Sequence, residues 1–532
     1  MKDSELTGSE LRRAFRLAFD RLEENRDTVN ALNVFPVPDG DTGTNMSLTL
    51  RSGIERCPDG EGPSAGEVAY ELAQGAFFGA RGNSGVILSQ FFKGFSDALQ
   101  GRETCSAADL TQALDMARVA AYGAVGSPKE GTMLTVIRRA AEAAAEIAGD
   151  ADTTTVFETA FGASCIALKN TPEQLPVLKE AGVVDSGGLG VVVILGGTLE
   201  ALAPDRYEEA RASAGLDSIV DTSMASLGGA GQSQEQAGSD LSLEQVRQRC
   251  EEMGRSTVVV GDSLNVRVHV HMEDPGAAIS YGVALGTVSS VKIENMDEQN
   301  VEWAAGHSGP APSVGAPITV VAVAAGRGLA ELFMESGCGH VIEGGQTMNP
   351  SVQQIMEGVE HAGAEHTIFL PNNKNIVLTA QQVAANDPTI HVVPTRSVPQ
   401  GVAALLAYNP ISTVEENMAA MEGVLPEVTT IEITQAVRDT SVDGVAVSLG
   451  DYIALLDDKL VLTARSAEDA LRESIGMAGV DSSSILTIYR GSDADPGAAE
   501  ASAEALEAAT PGLQVDRLYG GQPHYHYLAS IE

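Results

Sequence analysis

The chain has 532 residues, too many for a single hydrophobic core, and we expect two to four domains. Its 33 Lys and Arg against 73 Asp and Glu give a net charge of -40, which argues against nucleic acid or an anionic membrane surface as the main partner. Five cysteines without a CxxC pair suggest no disulfide framework. No run of about 18 apolar residues occurs, so we predict no integral membrane segment and a cytoplasmic protein.

The first part of the chain, residues 1–205, shows helical spacing of its apolar residues. A first helix is predicted over 8–32, where Leu11, Phe15 and Leu22 recur at helical intervals. Further helical patterns lie at about 65–78, 83–99, 107–124, 133–148, 152–168 and 187–202. Alanine is abundant and strand-like alternation is scarce, so the sequence predicts an all-helical bundle of about eight helices.

Between the first helix and the next lies the segment 33–46, which reads NVFPVPDGDTGTNM. Its prolines fix φ and forbid helix, while Gly40 and Gly43 allow a sharp turn close to a ligand. Asp39 and Asp41 place hard oxygen ligands on this stiff loop, which suits Mg²⁺ bound together with phosphate oxygens. For Asp-Gly-Asp alone, an ordinary turn is the alternative interpretation. The neighbouring short polar side chains are Thr42, Thr44 and Asn45.

Three further polar loops precede predicted helices, at 79–85, 129–134 and 184–188. Backbone N–H groups at a helix N-terminus form an anion site, although a capping residue gives the same pattern. A methionine in such a loop is otherwise a plain core residue. The candidate ligand-binding residues of these loops are Asn83, Ser84, Thr132, Met133, Asp185, Ser186 and Gly187.

The segment 33–46 resembles the signature loop of the ATP-binding L subunit of dihydroxyacetone kinases, in the form found in fatty acid kinase A. The resemblance implies an antiparallel helical barrel, with ATP gripped at one end by two Mg²⁺ ions on the loop carboxylates. Asp39 and Asp41 match the second and third of these carboxylates, and Asn33 is the polar residue nearest to the first. The loops at 79–85, 129–134 and 184–188 are similar to the family's phosphate and adenosine loop, its adenine-packing segment and its closing turn. The nucleotide contacts implied beside the carboxylates are Thr42, Gly43, Thr44, Asn45, Asn83, Ser84, Thr132, Met133, Asp185, Ser186 and Gly187.

The middle of the chain begins with a Ser-, Gly-, Gln- and Ala-rich stretch, which predicts a flexible linker over 206–245. A small α+β region follows over 246–310, in which His269 and His271 lie two apart on a predicted strand and share a face. Such a pair can bind Zn²⁺, or it can be two half-exposed residues of a polar face. The region resembles the middle domain of fatty acid kinase A, whose His-Val-His pair joins a cysteine at a zinc site, but Cys250 does not match that cysteine's motif.

The last part, 311–532, alternates strand-like runs with helices, which indicates an α/β fold with a mostly parallel sheet. The strand-like runs lie at about 318–323, 366–370, 390–394, 429–434 and 484–489. The loops 344–351 and 370–375 follow predicted strands, where open α/β sheets usually bind ligands or partners. This part looks like the DegV-like C-terminal domain of fatty acid kinase A, which is implied to contact a fatty-acid-carrying partner.

Taken together, the resemblance implies a kinase subunit that phosphorylates the carboxylate of a fatty acid presented by a separate carrier of DegV type. The products would be acyl phosphate and ADP, and a homodimer is compatible with the sequence. Such a carboxylate is ionised at neutral pH, so the reaction needs no general base. Two alternatives stay open: a dihydroxyacetone (glycerone) kinase, and a non-enzymatic nucleotide-sensing regulator or scaffold built on the same fold.

Overall fold

The computed structural model describes most of the chain, in two compact units. The described residues are 5–35, 40–58, 62–147, 151–227, 249, 255–261, 266–271, 281–282, 317–346, 348–436, 440–442, 445–482 and 484–532. For 255–261, 266–271 and 440–442 the backbone alone is described. One unit combines residues 1–229 with 312–532, and the other comprises 230–311.

The N-terminal part is a helical bundle, which confirms the predicted fold class, and two short strands, β1 Leu6–Thr7 and β2 Thr104–Cys105, pair antiparallel within it. Its helices are α1 Gly8–Glu24, α2 Arg26–Ala31, α3 Thr42–Arg56, α4 Ala65–Gly79, α5 Gly82–Ala98, α6 Ala107–Gly123, α7 Met133–Glu146, α8 Thr153–Lys169, α9 Thr171–Gln174, α10 Pro176–Ala181, α11 Ser186–Leu202, α12 Pro204–Ala214 and α13 Leu216–Leu227. The eight long helices α1, α3 to α8 and α11 pack in chain order, and α11 closes the ring against α1. Within the described ranges, no helix has the length and apolar character that a bilayer crossing requires.

Helix α1 illustrates how the sequence specifies this bundle. Thr7 accepts a hydrogen bond from the backbone of Glu10, whose side chain accepts one from the backbone of Thr7, so a capping box starts the helix. Leu11, Phe15 and Leu22 lie on one face and are buried. The apolar spacing seen in the sequence therefore becomes the core-facing side of the helix.

Two helices occupy the beginning of the predicted linker, so that prediction is wrong over 206–227. Pro204 opens α12, and Gly215 ends it in the left-handed conformation before α13 begins. Tyr207 is buried and packs on Phe161 of α8 with ring centroids 5.6 Å apart. This aromatic contact anchors a segment whose Ser and Ala content suggests a coil. Residues 228–248 lie outside the described residues.

The described middle region contains one antiparallel strand pair, β3 Arg255–Gly261 and β4 Val266–His271. In this pair Val258 lies opposite His269, and Arg255 lies opposite His271. The predicted strand carrying both histidines is therefore present. Most of the remaining middle region lies outside the described residues.

The described part of the C-terminal region contains a four-stranded sheet, a six-stranded sheet and a separate two-stranded pair, Thr440–Val442 with Val445–Val447. Its strands are β5 Ile318–Ala324, β6 His340–Glu343, β7 His366–Leu370, β8 Ile390–Val392, β9 Thr429–Gln435, β10 Thr440–Val442, β11 Val445–Val447, β12 Tyr452–Leu456, β13 Lys459–Ala464, β14 Ile485–Arg490, β15 Gln514–Tyr519 and β16 Tyr525–Ile531. Its helices are α14 Arg327–Glu335, α15 Val352–Ala362, α16 Lys374–Asn386, α17 Val398–Leu406, α18 Val414–Val424, α19 Ala467–Ala478 and α20 Pro496–Ala509. The α/β class predicted for this region is confirmed.

The expectation of a mostly parallel sheet is right for one sheet and wrong for the other. Strands in the order β6-β5-β7-β8 are all parallel. The second sheet has the order β13-β12-β9-β16-β14-β15, and only β14 and β15 are parallel in it. A two-residue turn at Asp457 and Asp458, both with positive φ, joins β12 to β13 as a hairpin. The strands of this region are therefore joined in two ways, by helices and by hairpin turns.

The C-terminal region packs directly on the helical bundle. Ala80 and Val86, at the end of α4 and in α5, share one buried apolar cluster with Val352 and Phe369 of the C-terminal region. The backbone N–H of Val352 donates a hydrogen bond to the carbonyl of Ala80 at 3.2 Å. The parallel sheet and its helices are thereby held against the start of α5.

Candidate functional site

Four long helices, α3, α5, α7 and α11, begin at the same end of the bundle. The hydroxyls of Ser186 and Thr42 lie 3.4 Å apart, which brings the first turn of α11 to the first turn of α3. A Cβ added to Gly187 would lie 3.2 Å from Met133, so α11 also touches the start of α7. The structure thus brings together predicted site residues from three separate loops.

Helix α5 begins against the first turn of α3. Gly82 has a φ of 56°, and a Cβ there would lie 2.6 Å from the side-chain amide nitrogen of Asn45, which is buried. Only glycine allows this turn and this approach together. The helix starts at Gly82 after Arg81, so the interpretation of Asn83 or Ser84 as the capping residue is wrong. Both side chains are half-buried in the first turn.

Three of the four helices that begin at this end lack a cap from the residue that precedes them. The residues that precede α3, α5 and α7 are Asp41, Arg81 and Thr132, and none of them makes a side-chain hydrogen bond to its helix. Other side chains serve two of these starts, because the N–H of Thr44 donates to Asn30 and the N–H of Met133 donates to Asp185. The helices that start at the opposite end, α1, α4, α6 and α8, are each capped by the preceding side chain, from Thr7, Ser64, Ser106 and Asp152 respectively. A helix start presents backbone N–H groups and a positive dipole end, which together favour an anion.

Asp41 is the carboxylate of the acidic loop that the structure describes. Its side chain is 7% exposed, and its Oδ2 accepts a hydrogen bond of 2.6 Å from Nδ2 of Asn349. Asn33, the nearest polar residue to the first family carboxylate, is buried in the same loop. Residues 36–39 lie outside the described residues, so the metal role of Asp39 stays a prediction.

The first turn of α3 is anchored to α2. The backbone N–H of Thr44 donates to Oδ1 of Asn30 at 3.1 Å, and Nδ2 of Asn30 donates to the hydroxyl of Thr44 at 3.0 Å. A Cβ on Gly43 would lie 2.3 Å from the carbonyl oxygen of Arg26, which explains why glycine stands beside the loop. These contacts fix the start of α3, while Thr42 and Asn45 lie buried in the same turn.

Asp185 caps α11 from inside the protein. Its Oδ2 accepts a hydrogen bond of 2.7 Å from the N–H of Gly188, so the capping interpretation is correct. Burial raises the pKa of the Asp185 carboxyl from 3.8 to about 7, although backbone hydrogen bonds from Gly188 and Met133 act in the opposite direction. Met133 is itself buried, and the hydroxyl of Thr132 donates to the carbonyl of Lys129 at 2.8 Å. A nucleotide contact for these residues stays a prediction.

The donors present at this end fit a magnesium ion. Asp41, Thr42 and Asn45 offer carboxylate, hydroxyl and amide oxygens, which are the hard ligands that Mg²⁺ prefers. Oδ1 of Asn349 is buried and has no hydrogen-bond partner among the described residues. Over the same residues no group of three or more His, Cys, Asp and Glu is found. Mg²⁺ sites usually complete their coordination with phosphate oxygens and water.

The predicted zinc site cannot be assembled from the described atoms. His269 and His271 lie on β4, but only their backbone is described. Cys250 lies outside the described residues, and the four described cysteines, Cys57, Cys105, Cys165 and Cys338, are buried and form no disulfide with one another. Zinc binding by the histidine pair therefore stays a prediction.

Sequence reasoning missed three residues at this end. Asn349 comes from the loop 344–351 and contacts Asp41, and Asn375 from the loop 370–375 accepts a hydrogen bond of 3.4 Å from Asn83. Arg81 donates through Nη1 to the backbone carbonyl of Asn349 at 3.2 Å. Both C-terminal loops follow strands, which indicates sites for a ligand or partner. No residue pattern within these loops indicates that they contact the acidic loop of the helical bundle.

Comparison with protein families divides the chain into three matched segments. Residues 36–200 match the DAK2 domain, residues 232–303 match the middle domain of the fatty acid kinase A-like family, and residues 319–532 match the C-terminal domain of that family. The acidic loop from Pro36 onward and all four helix starts fall inside the DAK2 segment.

Similar proteins and structures were also found. Two uncharacterized proteins of Staphylococcus aureus, from strains MRSA252 and USA300, are each 36% identical over 528 residues, which is 96% of this chain and 96% of theirs. A DegV family protein from Corynebacterium glutamicum covers 40% of this chain and 96% of its own, with 13% identity and a TM-score of 0.29. A fatty acid binding DegV family protein from Streptococcus agalactiae covers 40% of this chain and 98% of its own, with 13% identity and a TM-score of 0.28.

The three family matches follow one another along the chain in the order of the regions that the fold displays. Together with relatives that align over nearly the whole length, they establish the family. The chain belongs to the fatty acid kinase A-like family and carries an N-terminal DAK2 domain.

Proposed function

We propose that the chain is the ATP-binding subunit of a fatty acid kinase. It transfers the γ-phosphoryl group of ATP to the carboxylate of a fatty acid, which a separate carrier protein of DegV type presents. The products are an acyl phosphate and ADP. ATP and Mg²⁺ bind at the end of the helical bundle where Asp41 lies, with Asp39 as a second metal ligand.

The observation that carries this proposal is the gathering of three helix starts, none of them capped by its preceding residue, around the buried carboxylate of Asp41. Asp41 immediately precedes α3, and the first turns of α5 and α11 contact that of α3. Backbone donors suit the phosphate oxygens, and the carboxylate suits the cation that accompanies them. A structural bundle has no need for this arrangement, because side chains cap the helices at its other end.

Cationic side chains at this end add to the proposal. Arg81 is half-buried beside the start of α5, and burial lowers the pKa of its guanidinium from the ordinary value. Nζ of Lys129 lies 5.4 Å from the ring centroid of Phe35, next to the acidic loop. In a chain with a net charge of -40, these two cations stand where a triphosphate would bring negative charge.

The chemistry asks the protein to hold and orient charged groups. A fatty acid carboxylate is already ionised at neutral pH, so no side chain has to remove a proton. When bound, Mg²⁺ supplies the charge neutralisation that lets a carboxylate approach the γ-phosphate. Asp41 holds the cation, and the first turns of α3, α5 and α7 orient the phosphates through their N–H groups. Phosphoryl transfer depends mainly on such positioning and electrostatic stabilisation.

The substrate and its carrier are inferred from the family to which the chain belongs. The C-terminal region is the part that we assign to carrier contact, because it packs against the start of α5 and so lies next to the nucleotide end. Asn83 in α5 already bonds across this contact to Asn375. A carrier docked on the C-terminal region would therefore bring its fatty acid toward the phosphate end of the bundle.

Acyl phosphate formation tests the proposal directly. The purified chain is incubated with MgATP, a long-chain fatty acid and a DegV-type fatty acid binding protein, and acyl phosphate is trapped with hydroxylamine. We expect acyl hydroxamate and ADP in equal amounts, and neither product when fatty acid or carrier is left out. Parallel reactions contain dihydroxyacetone in place of fatty acid and carrier.

Two results would refute the proposal. Phosphorylation of dihydroxyacetone without acyl phosphate would identify a glycerone kinase, and nucleotide binding without any turnover would identify a nucleotide-sensing protein. Asp152→Asn is the matched control for Asp41→Asn, because it makes the same chemical change at the capped end of the bundle. Activity that survives Asp41→Asn would show that the chemistry takes place elsewhere.

A further inference from the structure

Asn349 is a residue of the C-terminal region that enters the acidic corner of the helical bundle. It follows β6 in the loop that leads to α15, and it is 2% exposed. Its Nδ2 donates a hydrogen bond of 2.6 Å to Oδ2 of Asp41, 308 residues away in sequence, and the contact is buried. A buried hydrogen bond to a carboxylate is worth more than a neutral one, so this contact orients Asp41 firmly.

The backbone from Asn349 to Val352 is held against the helical bundle by two hydrogen bonds. Nη1 of Arg81 donates to the carbonyl oxygen of Asn349 at 3.2 Å, and the N–H of Val352 donates to the carbonyl of Ala80 at 3.2 Å. Ser351 starts α15 with a capping box, which fixes the chain just after Asn349. The amide of Asn349 is therefore presented to Asp41 by a rigid segment.

The other end of the same amide points to a ligand. Oδ1 of Asn349 is buried and makes no hydrogen bond to any of the described residues. A buried polar atom without a partner costs roughly 1–3 kcal/mol, so native proteins rarely keep one. A cation at Asp41, or a water molecule that the cation carries, would give this oxygen its partner.

We propose that Asn349 is a positioning residue for the cation of the nucleotide site, contributed by the C-terminal region. This inference rests on the proposed function, in which Asp41 holds the metal of MgATP. Nδ2 of Asn349 donates to one oxygen of Asp41 and so fixes the orientation of the carboxylate that would hold the cation. Groups that hydrogen-bond to metal ligands orient them, and removing such a group typically costs 10- to 100-fold in metal affinity. Docking of the C-terminal region is thereby coupled to metal binding in the helical bundle.

Manganese binding to the full-length chain tests this inference without turnover. Mn²⁺ is titrated in the presence of saturating ADP and followed by electron paramagnetic resonance, for the parent chain and for Asn349→Ala, Asn349→Leu and Gln382→Ala. Asn349→Leu keeps the volume of the side chain and removes the donor. Gln382→Ala is the matched control, since Nε2 of Gln382 donates to the hydroxyl of Ser89 at 3.3 Å in the same contact between the two regions. Thermal unfolding of each variant shows that it is folded at the titration temperature.

We expect both Asn349 variants to bind Mn²⁺ about 10-fold more weakly than the parent, and Gln382→Ala to bind it as the parent does. Equal or tighter binding in the Asn349 variants would overturn the inference. Weaker binding in Asn349→Ala but not in Asn349→Leu would also overturn it, because the effect would then come from lost packing. Equal weakening in Gln382→Ala would overturn it as well, because the effect would then come from the contact between the two regions as a whole. A parent chain that binds no Mn²⁺ with ADP would refute the proposed function, and this inference with it. Weaker binding in a chain that forms no acyl phosphate would leave the inference standing and refute the proposed reaction alone.

Discussion

Replacing Asp185 by Asn should stabilise the helical bundle at neutral and alkaline pH. Asp185 is 5% exposed, and burial raises the pKa of its carboxyl from 3.8 to about 7. Asn caps a helix about as well as Asp does, so the hydrogen bond from Gly188 can be kept. The substitution therefore removes an ionisable group that the fold holds in an unfavourable place, and it gives up at most the weaker of the two backbone hydrogen bonds, that from Met133.

The sign of the effect follows from proton linkage. Because the folded state holds the Asp185 proton more tightly than the unfolded state does, stability falls as pH rises from about 4 to about 7 and then levels off. The interval between 3.8 and about 7 corresponds to roughly 4 kcal/mol as an upper bound, at about 1.4 kcal/mol for each pH unit. Asp185→Asn cannot ionise, so its advantage should be near zero at pH 4 and largest above pH 7.

Thermal unfolding between pH 4 and pH 9 measures this difference. For a region of this size, 1 kcal/mol moves the midpoint by about 2–4 °C, so the expected gain at pH 8 is several degrees. Asp152→Asn is the control, since Asp152 also caps a helix but is partly exposed, and hydrogen bonds from Thr155 lower the pKa of its carboxyl. That control should lose stability at neutral pH. A gain at pH 8 that persists unchanged at pH 4, or no gain at any pH, would refute the reasoning.

Three further predictions concern the site and its frame. Asp41→Asn should lower kcat/KM for acyl phosphate formation by more than about 100-fold, because losing a metal ligand costs more than losing a residue that orients the ligand. Unchanged hydroxamate yields would contradict this prediction. Gly82→Ala should destabilise the contact between α5 and α3, because the new Cβ would lie 2.6 Å from Nδ2 of Asn45 at a residue with a φ of 56°. A thermal unfolding midpoint equal to that of the parent chain would contradict this prediction. Tyr207→Ala should lower the free energy of unfolding by about 3 kcal/mol, because it removes a buried ring that packs on Phe161. It should also make α12 accessible to limited proteolysis, and an unchanged cleavage pattern would mean that other contacts hold this helix.

The helical part of the fold is predictable because its signals are local. Apolar residues such as Leu11 and Leu22 repeat at helical intervals, and each predicted long helix of the bundle is present. The starts of these helices are harder to place. Asn83 and Ser84 have the chemistry of capping residues, but α5 already begins at Gly82, because only glycine fits against Asn45.

The errors come from contacts and turns that composition does not reveal. The composition of the segment from 206 predicts a linker, yet α12 docks on α8 through Tyr207, which packs on Phe161, and through Arg206, which pairs with Glu158. In the second sheet, the turn at Asp457 and Asp458 lacks the Asn-Gly or Asp-Gly pair that is typical of a two-residue hairpin. The sequence therefore does not predict strands β12 and β13 or an antiparallel sheet.

The candidate site shows the same division between local and distant information. Asp41 can be identified because its loop is unusual in sequence, whereas Asn349 cannot, since nothing in its own loop indicates a partner 308 residues away. Asp39 stays a prediction of the sequence alone, because it lies outside the described residues. A contact between two regions of a chain can be read only once both regions are placed in space.

Under the proposed function, the unequal capping of the two bundle ends is stability given up for binding. A side-chain cap stabilises a helix by about 1 kcal/mol, and α1, α4, α6 and α8 are each capped by the preceding residue. The residues that precede α3, α5 and α7 give no such cap, and Thr132, which could have capped α7, bonds to Lys129 instead. Asn30 and Asp185 recover part of this stability, because they accept hydrogen bonds from the N–H groups of Thr44 in α3 and Met133 in α7. The loss is therefore concentrated at the start of α5, where phosphate oxygens would supply the missing hydrogen bonds on binding and so contribute to the affinity for a triphosphate.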